Sequence, residues 1–600
     1  MMPNFSRPGI AGSETSVIED WFIMSIYEQY YREITASDGN IERIETYVPP
    51  HFNFAYDVID RIAEDDSDKP AMEHIGIDGT VTGFSFGDLK QLSDEAAVAL
   101  RRLGVGRGTA VMLLMKRRYE FWIAMLALHK LSAIAVPTSH MVSAEDIAAR
   151  AKTADVKVIL CVNSEHICGK VAEAADSLLC SDNASADARN DPSRESEKPV
   201  AVAVGERYED FLFWDDLMES AKGECLAERV ENDVHDAMLY YFTSGTNGAP
   251  KAVIHDWSYP IAHIYTAKNW HGITDGDLHL TVADSGWAKT AWGKLYGQWF
   301  LGARILVYDY DRFYAGEFLK LLTERKVNTF CAPPTIYKYL VLEDLTKYDW
   351  SNLHYASTAG EPMPSSVARS FAEATGVTVR DGFGQTETAL QIRTPVGGSA
   401  VAGSISKASP LYRVEIADEH GEFLADNEEG ELVIVPHGSE RPIGIFCGYL
   451  GEPERYREVW RGGMYHTGDR AKRDADGNYY FFGRNDDVIK SSGYRIGPSE
   501  VEDLLLQNPA VKFCAVTGYP SRTRGTVVKA SIVLKDGFTG DQRLTTELQD
   551  YVKKNGAVYK YPRMVEYVDD LPRTASGKIN RAAIRRADEA LAAERGQMKN

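Results

Sequence analysis

No C-x-x-C pair occurs among the seven cysteines of this 600-residue chain, and an odd number so thinly spread makes a poor disulfide framework. A reducing cytoplasm fits that usage. Basic charge is also short. Against 87 Asp and Glu there are 66 Lys and Arg, a formal net charge of −21, which disfavours a general nucleic-acid or anionic-membrane binder because such partners need a broad basic face. Any polyanionic ligand must therefore meet locally placed Lys and Arg. The N-terminal MMPNFSRPGIAGSE lacks the apolar stretch of a secretory leader. The greasiest segment, Phe121 to Pro137, is interrupted by His129 and Lys130, so it reads as a buried helix and strand and not as a membrane span. No internal repeat is visible.

What is present is a globular composition, 44% hydrophobic and 26% charged, with length for roughly two to four domains. Ser16-x-x-Glu19 before Trp21, Phe22 and Ile26 predicts a capping box opening an amphipathic helix. From about residue 70 to 380, β-rich runs such as Ala110 to Leu114, Val158 to Cys161 and Arg304 to Val307 alternate with helical stretches such as Glu145 to Lys152 and Ala315 to Arg325. That alternation predicts α/β architecture with largely parallel sheets. Asp176 to Lys198 is polar and aperiodic and reads as a mobile surface insertion. After about residue 410 the pattern turns to short strands and hairpins, with Asp476-Gly477 between Ala471 to Arg473 and Tyr479 to Phe482. A small terminal domain follows, with strands near Cys514 to Val516 and Val527 to Leu534 and a helix near Leu544 to Lys554. The boundary is expected near Asp486, giving an N-terminal domain over 1–485 and a C-terminal domain over 486–600.

Chemistry is concentrated in Tyr241-Phe242-Thr243-Ser244-Gly245-Thr246-Asn247-Gly248-Ala249-Pro250-Lys251, just after an apolar strand, Met238 to Phe242. Glycines permit close backbone N–H approach, and the hydroxyls and lysine add donors, so the loop can wrap phosphates. Taken alone it is equally an ordinary strand-to-strand turn. It is not a Walker loop: the spacing Gly245-x-x-Gly248-x-x-Lys251 differs, and Pro250 and Ala252 stand where that motif needs Gly and Ser/Thr.

Five further motifs follow in order: Gly360-Glu361-Pro362; Asp381-Gly382-Phe383-Gly384-Gln385-Thr386-Glu387; Tyr465 to Asp469; Gly483 to Arg495; and Pro572 to Lys578. At these residues the chain resembles the adenylate-forming superfamily of acyl-CoA synthetases, luciferase-like enzymes and peptide-synthetase adenylation domains, from roughly residue 50 to 590. Within it the chain is most similar to medium-chain acyl-CoA synthetases, through Ala283 to Trp287, Arg441 to Phe446, Ser492 to Val501 and Tyr559 to Arg563. The resemblance implies an α/β N-terminal domain with a distorted β-barrel subdomain and a small mobile α+β C-terminal domain. It also implies ATP, Mg²⁺ and CoA as reaction partners, without nucleic acid. The oligomeric state stays open, a homodimer included.

The implied reaction brings a carboxylate to the α-phosphate of ATP, so two anions meet and positive charge must be concentrated there. The resemblance places Lys578 at that point and ranks it with Glu387 and Thr243 as catalytic. Glu387 resembles the family's Mg²⁺ carboxylate, a hard oxygen ligand suited to a phosphate-bridging ion. Asp469 matches the ribose acceptor and Arg484 its helper. Phe383 and Gly360-Glu361-Pro362 match the walls of the adenine slot, with Asp381, Gly382, Gln385 and Thr386 beside them. Asp486 aligns with the hinge that lets one site present Lys578 first and a thiol tunnel second. Ser492, Gly493 and Tyr494 fall where the family lines that tunnel, Arg495 is expected on a phosphate or the rotated loop, and Tyr561 near CoA.

Pocket size should decide the acid. Gly384 stands where acetate-specific relatives carry tryptophan, so glycine is expected to leave room for a longer chain, and Ala288 and Ala359 are small as well. Trp287 and Lys289 point to a shortened or bent cavity. The balance predicts acids of about four to ten carbons, such as butyrate, 2-methylbutyrate or hexanoate, at about 0.8 kcal/mol per buried methylene. His140 either lines that cavity or is a hydrogen-bonded core histidine. Competing readings are an aryl (benzoate-like) CoA ligase, an acetyl/propionyl-CoA synthetase and an adenylation enzyme that loads a carrier protein. The last is weakened because no Asp/Glu-x-Gly-x-Asp-Ser attachment sequence follows residue 590.

Overall fold

The computed structural model describes residues 25–37, 39–164, 166–182, 198–244, 250–401, 403–437, 441–484, 487–491, 494–521, 525–574 and 578–594; the capping box expected at Ser16 lies outside them. Two sheets with helices packed on them form the large N-terminal part. In the first, eight strands run in the order Gly448–Tyr449, Pro250–Asp256, Ala237–Ser244, Ile134–Pro137, Ala110–Leu114, Val156–Val162, Val200–Val204 and Leu212–Phe213. From Ala237–Ser244 onward the neighbours are parallel. Ala110–Leu114 is buried at every position, which is why it is an unbroken apolar run and does not alternate. The greasy Phe121 to Pro137 segment resolves as expected into the buried helix Glu120–Lys130 and the strand Ile134–Pro137.

The second sheet has a parallel centre made of Pro70–Ile75, Arg304–Tyr308, Leu278–Thr281, Thr329–Cys331, Tyr355–Ala359 and Val379–Phe383. The antiparallel strands of the later segment, expected as a barrel subdomain, are hydrogen-bonded onto Val379–Phe383 and extend this sheet to thirteen strands. Tyr465–Arg473 and Asn478–Arg484 form the expected hairpin, and Gly477 takes φ +80 at its turn, a conformation that suits glycine. One expectation fails at its start: Asp176 to Asp182 are not loop but the last turns of the helix Ile167–Asp182. Its apolar positions Val171, Ala174 and Ala175 are buried, so packing continues a helix into a polar stretch that composition alone reads as irregular. Residues 183–197 lie outside the description.

The small C-terminal domain carries Val511–Ser521, Gly525–Leu534 and Met564–Tyr567 in one sheet, flanked by the helices Pro498–Leu506, Gln542–Asn555 and Arg581–Glu594. It rests on the large domain through Tyr339 against Phe513, ring centroids 5.7 Å apart, and through the Ser365 N–H donating to Asp503 at 3.4 Å. Between the two large sheets, the turn Ala283 to Trp287 is pressed onto the turn after Ile134–Pro137. His140 Nδ1 meets Asp284 Oδ2 at 2.7 Å, and a methyl group at Gly286 would overlap the backbone of Thr138 and Ser139. His140 is thus a seam histidine and not a pocket wall. Gly286→Ala is expected to cost about 1–3 kcal/mol through overpacking, read as a lowered thermal unfolding midpoint; an unchanged midpoint would contradict that tight seam.

Candidate active site

Strand pairing builds the phosphate loop. Ala237–Ser244 and Pro250–Asp256 are antiparallel, with Thr243 opposite Lys251 and Ser244 opposite Pro250, next to the edge strand Gly448–Tyr449. Gly245, Thr246, Asn247 and Gly248 fall outside the described residues. The hydroxyl of Thr243 is buried and makes no hydrogen bond within the protein, a costly state unless a ligand or water completes it.

At the base of the loop Lys251 donates to Glu387 Oε1 at 2.7 Å and lies 3.0 Å from the Tyr449 hydroxyl, which itself donates to the same carboxylate oxygen at 2.9 Å. Burial opposes ionisation of Glu387, but Lys251 and Tyr449 outweigh it and hold the carboxyl below its ordinary range. Next to this triad is a cavity of about 270 Å³ lined by Lys251, Glu387, Tyr449, Arg455, Arg461 and Arg484, among others. Asp469, on Tyr465–Arg473, stands across the ladder from Arg484, 3.7 Å away. Gln385 reaches over to donate to Asp469 and to the Thr467 carbonyl, and accepts from the Tyr465 hydroxyl at 2.7 Å. His255 Nε2 meets the Thr386 carbonyl at 2.8 Å, and Phe383 packs on Phe481 at 5.6 Å.

Lys578 comes from the other domain. Its loop is closed by the Thr574 N–H donating to the Lys578 carbonyl at 2.7 Å and by the Asn580 N–H donating to the Pro572 carbonyl at 2.7 Å. A methyl group at Gly360 would sit 3.6 Å from Lys578 Cε and 3.7 Å from Nζ, so the lysine lies directly on the Gly360-Glu361-Pro362 turn. Loss of water lowers its amine from the ordinary value, Glu361 and Asp469 oppose that, and Arg484 adds to it; the residue stays exposed, so solvent still reaches it. Beside it Lys289, on the short helix Ala288–Gly293 capped by Trp287, donates to the Ala359 carbonyl at 2.7 Å. Burial lowers Lys289 also, with Lys578 adding and Cys331, Glu361 and Asp381 opposing. Loss of water pushes the Asp381 carboxyl up to about 7 against the pull of the Gly382 N–H and Lys289.

The expectation for Gly384 needs correcting. The space it leaves is not open: a methyl group there would overlap the Trp292 ring and lie 2.7 Å from the Ala389 carbonyl. Gly382 seats Trp270 in the same way, and the two indoles meet edge to face at 6.3 Å. Both glycines are therefore seats for tryptophans, and Trp292 is 5% exposed.

The thiol-tunnel candidates lie on the C-terminal domain. Tyr494 is 51% exposed and stacks on Tyr559 at 4.1 Å. Tyr561 accepts from Arg563 at 2.6 Å beneath Lys553, which fits a surface role as well as a ligand contact. Arg495 pairs with Lys490 in a two-stranded ladder, and Asp486, Ser492 and Gly493 lie outside the described residues. Sequence reading missed Tyr449, Trp292, Arg455 and the Glu431–His466 pair at 3.1 Å, because each takes its place from contacts between segments far apart along the chain.

Against this geometry the comparisons are decisive. The chain matches the AMP-binding enzyme family over residues 59–450 and the AMP-binding enzyme C-terminal domain over residues 500–578. It belongs to the AMP-binding enzymes. Within them it is an acyl-CoA synthetase: it is 36% identical over 567 residues to the mitochondrial acyl-coenzyme A synthetase ACSM4 of Rattus norvegicus, covering 93% of this chain and 94% of that one. The Brucella canis acyl-CoA synthetase structure is 30% identical with a TM-score of 0.67, covering 91% and 96%. The anthranilate CoA ligase AuaEII in complex with anthranoyl-AMP is 27% identical with a TM-score of 0.80, covering 91% and 99%. Among the described residues of the enzyme no helix is long and apolar enough to cross a membrane.

Next to the turn Ala283 to Trp287 lies one more unusual charge. Lys294 is 2% exposed and donates to the Ala283 carbonyl at 2.7 Å. Burial pulls its amine down to about 7, with Arg117 adding and Asp284 and Asp309 opposing. An amine neutral in the fold but charged in the unfolded chain weakens the fold progressively as pH drops from 10.5 towards 7, and by a constant amount below. Lys294→Met should therefore gain in unfolding midpoint relative to wild type between about pH 10 and pH 7. A difference independent of pH over that range would contradict a neutral amine.

Proposed function

We propose that the enzyme joins a short- or medium-chain carboxylic acid to CoA by way of an acyl-adenylate, consuming ATP and releasing AMP and diphosphate. The observation that carries this reading is Lys578 lying on Gly360, beside Glu361 and Asp469. That contact between the domains supports an arrangement suited to the first half-reaction. The hairpin around Thr243 and Lys251 would hold the triphosphate, Asp469 and Arg484 the ribose, and Phe383 the base. Lys578 would donate to the carboxylate and α-phosphate oxygens as the new bond forms and the diphosphate leaves. Rotation about Asp486, at the boundary between a 1–485 and a 486–600 domain, would then withdraw Lys578 and bring Ser492, Gly493, Tyr494 and Arg495 to the thiol path.

Glu387 fits the family's divalent ion: its carboxyl is kept ionised and presents hard oxygens. When bound, Mg²⁺ would neutralise phosphate charge. Lys251 and Tyr449 would hold the carboxylate in place for it. Free cysteines, six of them among the described residues, support a reducing compartment such as the cytoplasm; the relative named above is mitochondrial.

For the acid, Trp292 above Gly384 supports the short end of the medium range and branched chains. The test is a kcat/KM profile from acetate to palmitate with benzoate included. Activity should peak between butyrate and hexanoate; a maximum at acetate, benzoate or palmitate would reject the assignment.

A further inference from the structure

Beside this cavity two cations lie close to the ring of Tyr449. Lys251 Nζ lies 4.3 Å from the ring centroid and Arg455 Cζ 5.6 Å from it. Tyr449 itself is 5% exposed and is fixed by its strand, Gly448–Tyr449, pairing with Pro250–Asp256 next to the phosphate hairpin. Arg455 sits on the helix Pro453–Val459 and lines the cavity with Lys251 and Glu387. Its recorded ion pair is with Glu452, three residues before it at 3.1 Å, with both side chains partly exposed. Such a pair is worth little and is easily exchanged for a better anion. The other arginines of the cavity are more committed. Arg461 donates to Glu431 at 2.9 Å, an acid also bound by His466 and the Gly468 N–H, and Arg484 serves Asp469.

We propose that Arg455 is a further binding residue for the diphosphate portion of ATP and for the diphosphate product, and that Tyr449 is the positioning residue against which both Lys251 and Arg455 pack. The inference rests on the adenylating reading above. In a chain of net charge −21, a polyanionic product needs local cations, and Lys251 already pairs with Glu387. A guanidinium beside the same ring supplies a second, bidentate donor that Glu452 releases when diphosphate arrives.

Isothermal titration of the full chain with inorganic diphosphate, and separately with AMP, reads this directly. Arg455→Ala should weaken diphosphate about tenfold or more, the loss of a charge-assisted hydrogen bond, and leave AMP unchanged; Arg455→Lys should recover part of it. Arg457→Ala, on the same helix and 69% exposed at its side chain, should change neither. Tyr449→Phe keeps the ring beside both cations and should raise the diphosphate KM in isotope exchange less than Tyr449→Leu, with the KM for acid unaffected in both. Equal weakening of diphosphate and AMP, no change in Arg455→Ala, or wild type that forms acyl-adenylate without measurable diphosphate affinity would each overturn the proposal. Wild type that forms no adenylate at all would instead sink the adenylating reading beneath it.

Discussion

Lys578→Ala should abolish most adenylate formation, by about a hundred- to a thousandfold as expected for loss of one preorganised electrostatic partner, while thioester formation from supplied acyl-AMP stays nearly intact. The asymmetry follows from position. Lys578 touches the Gly360 turn from the opposite domain, so it serves the first half-reaction only while that domain is docked. In the proposed rotation the second half-reaction finds the domain turned away, and the lysine with it. Lys578→Arg keeps the charge but replaces a point ammonium with a planar fork, so it should recover only part of the loss. Rapid-quench measurement of the two half-reactions separates these outcomes, and equal loss in both would refute the assigned role.

The second large effect should come from Trp292. Its ring fills the space above Gly384, so Trp292→Gly should open that space and move the chain-length optimum upward. Each added methylene that becomes buried contributes about 0.8 kcal/mol, roughly fourfold in kcat/KM. Decanoate should gain on butyrate by about two orders of magnitude if most of its extra carbons enter. A large-to-small change in a core also costs about 3–5 kcal/mol, so Trp292→Leu, which vacates less volume, provides a folded control with a smaller shift. An unchanged profile in both variants, with only a lowered unfolding midpoint, would show that Trp292 is core packing and no part of the acyl pocket.

These two residues mark where sequence was informative and where it was not. Lys578 is legible because its motif is local: a glycine-containing turn after Pro572 whose residues follow one another along the chain. The same holds for Asp469 and Arg484, which a short hairpin puts opposite each other, and for the alternation that gives the parallel sheets. Trp292 is not legible in this way. What stands above Gly384 depends on a helix far upstream in sequence, and a small side chain signals room for something without saying what fills it. Tyr449 is hidden for a related reason: its contacts to Lys251 and Glu387 join three separate strands and turns. The helix that runs on to Asp182 shows a third limit, since burial of one face can hold polar residues in a helix that their own propensities do not favour.

The central claim is that one site makes an adenylate first and a thioester second. Its most direct test follows diphosphate and AMP separately after mixing the wild-type enzyme with ATP and hexanoate, before and after adding CoA. Without CoA there should be one burst of diphosphate per active site, with acyl-AMP retained on the enzyme. With CoA, AMP and hexanoyl-CoA should then appear continuously in equal amounts. Diphosphate release that ignores the acid, or ADP and phosphate as products, would contradict the account.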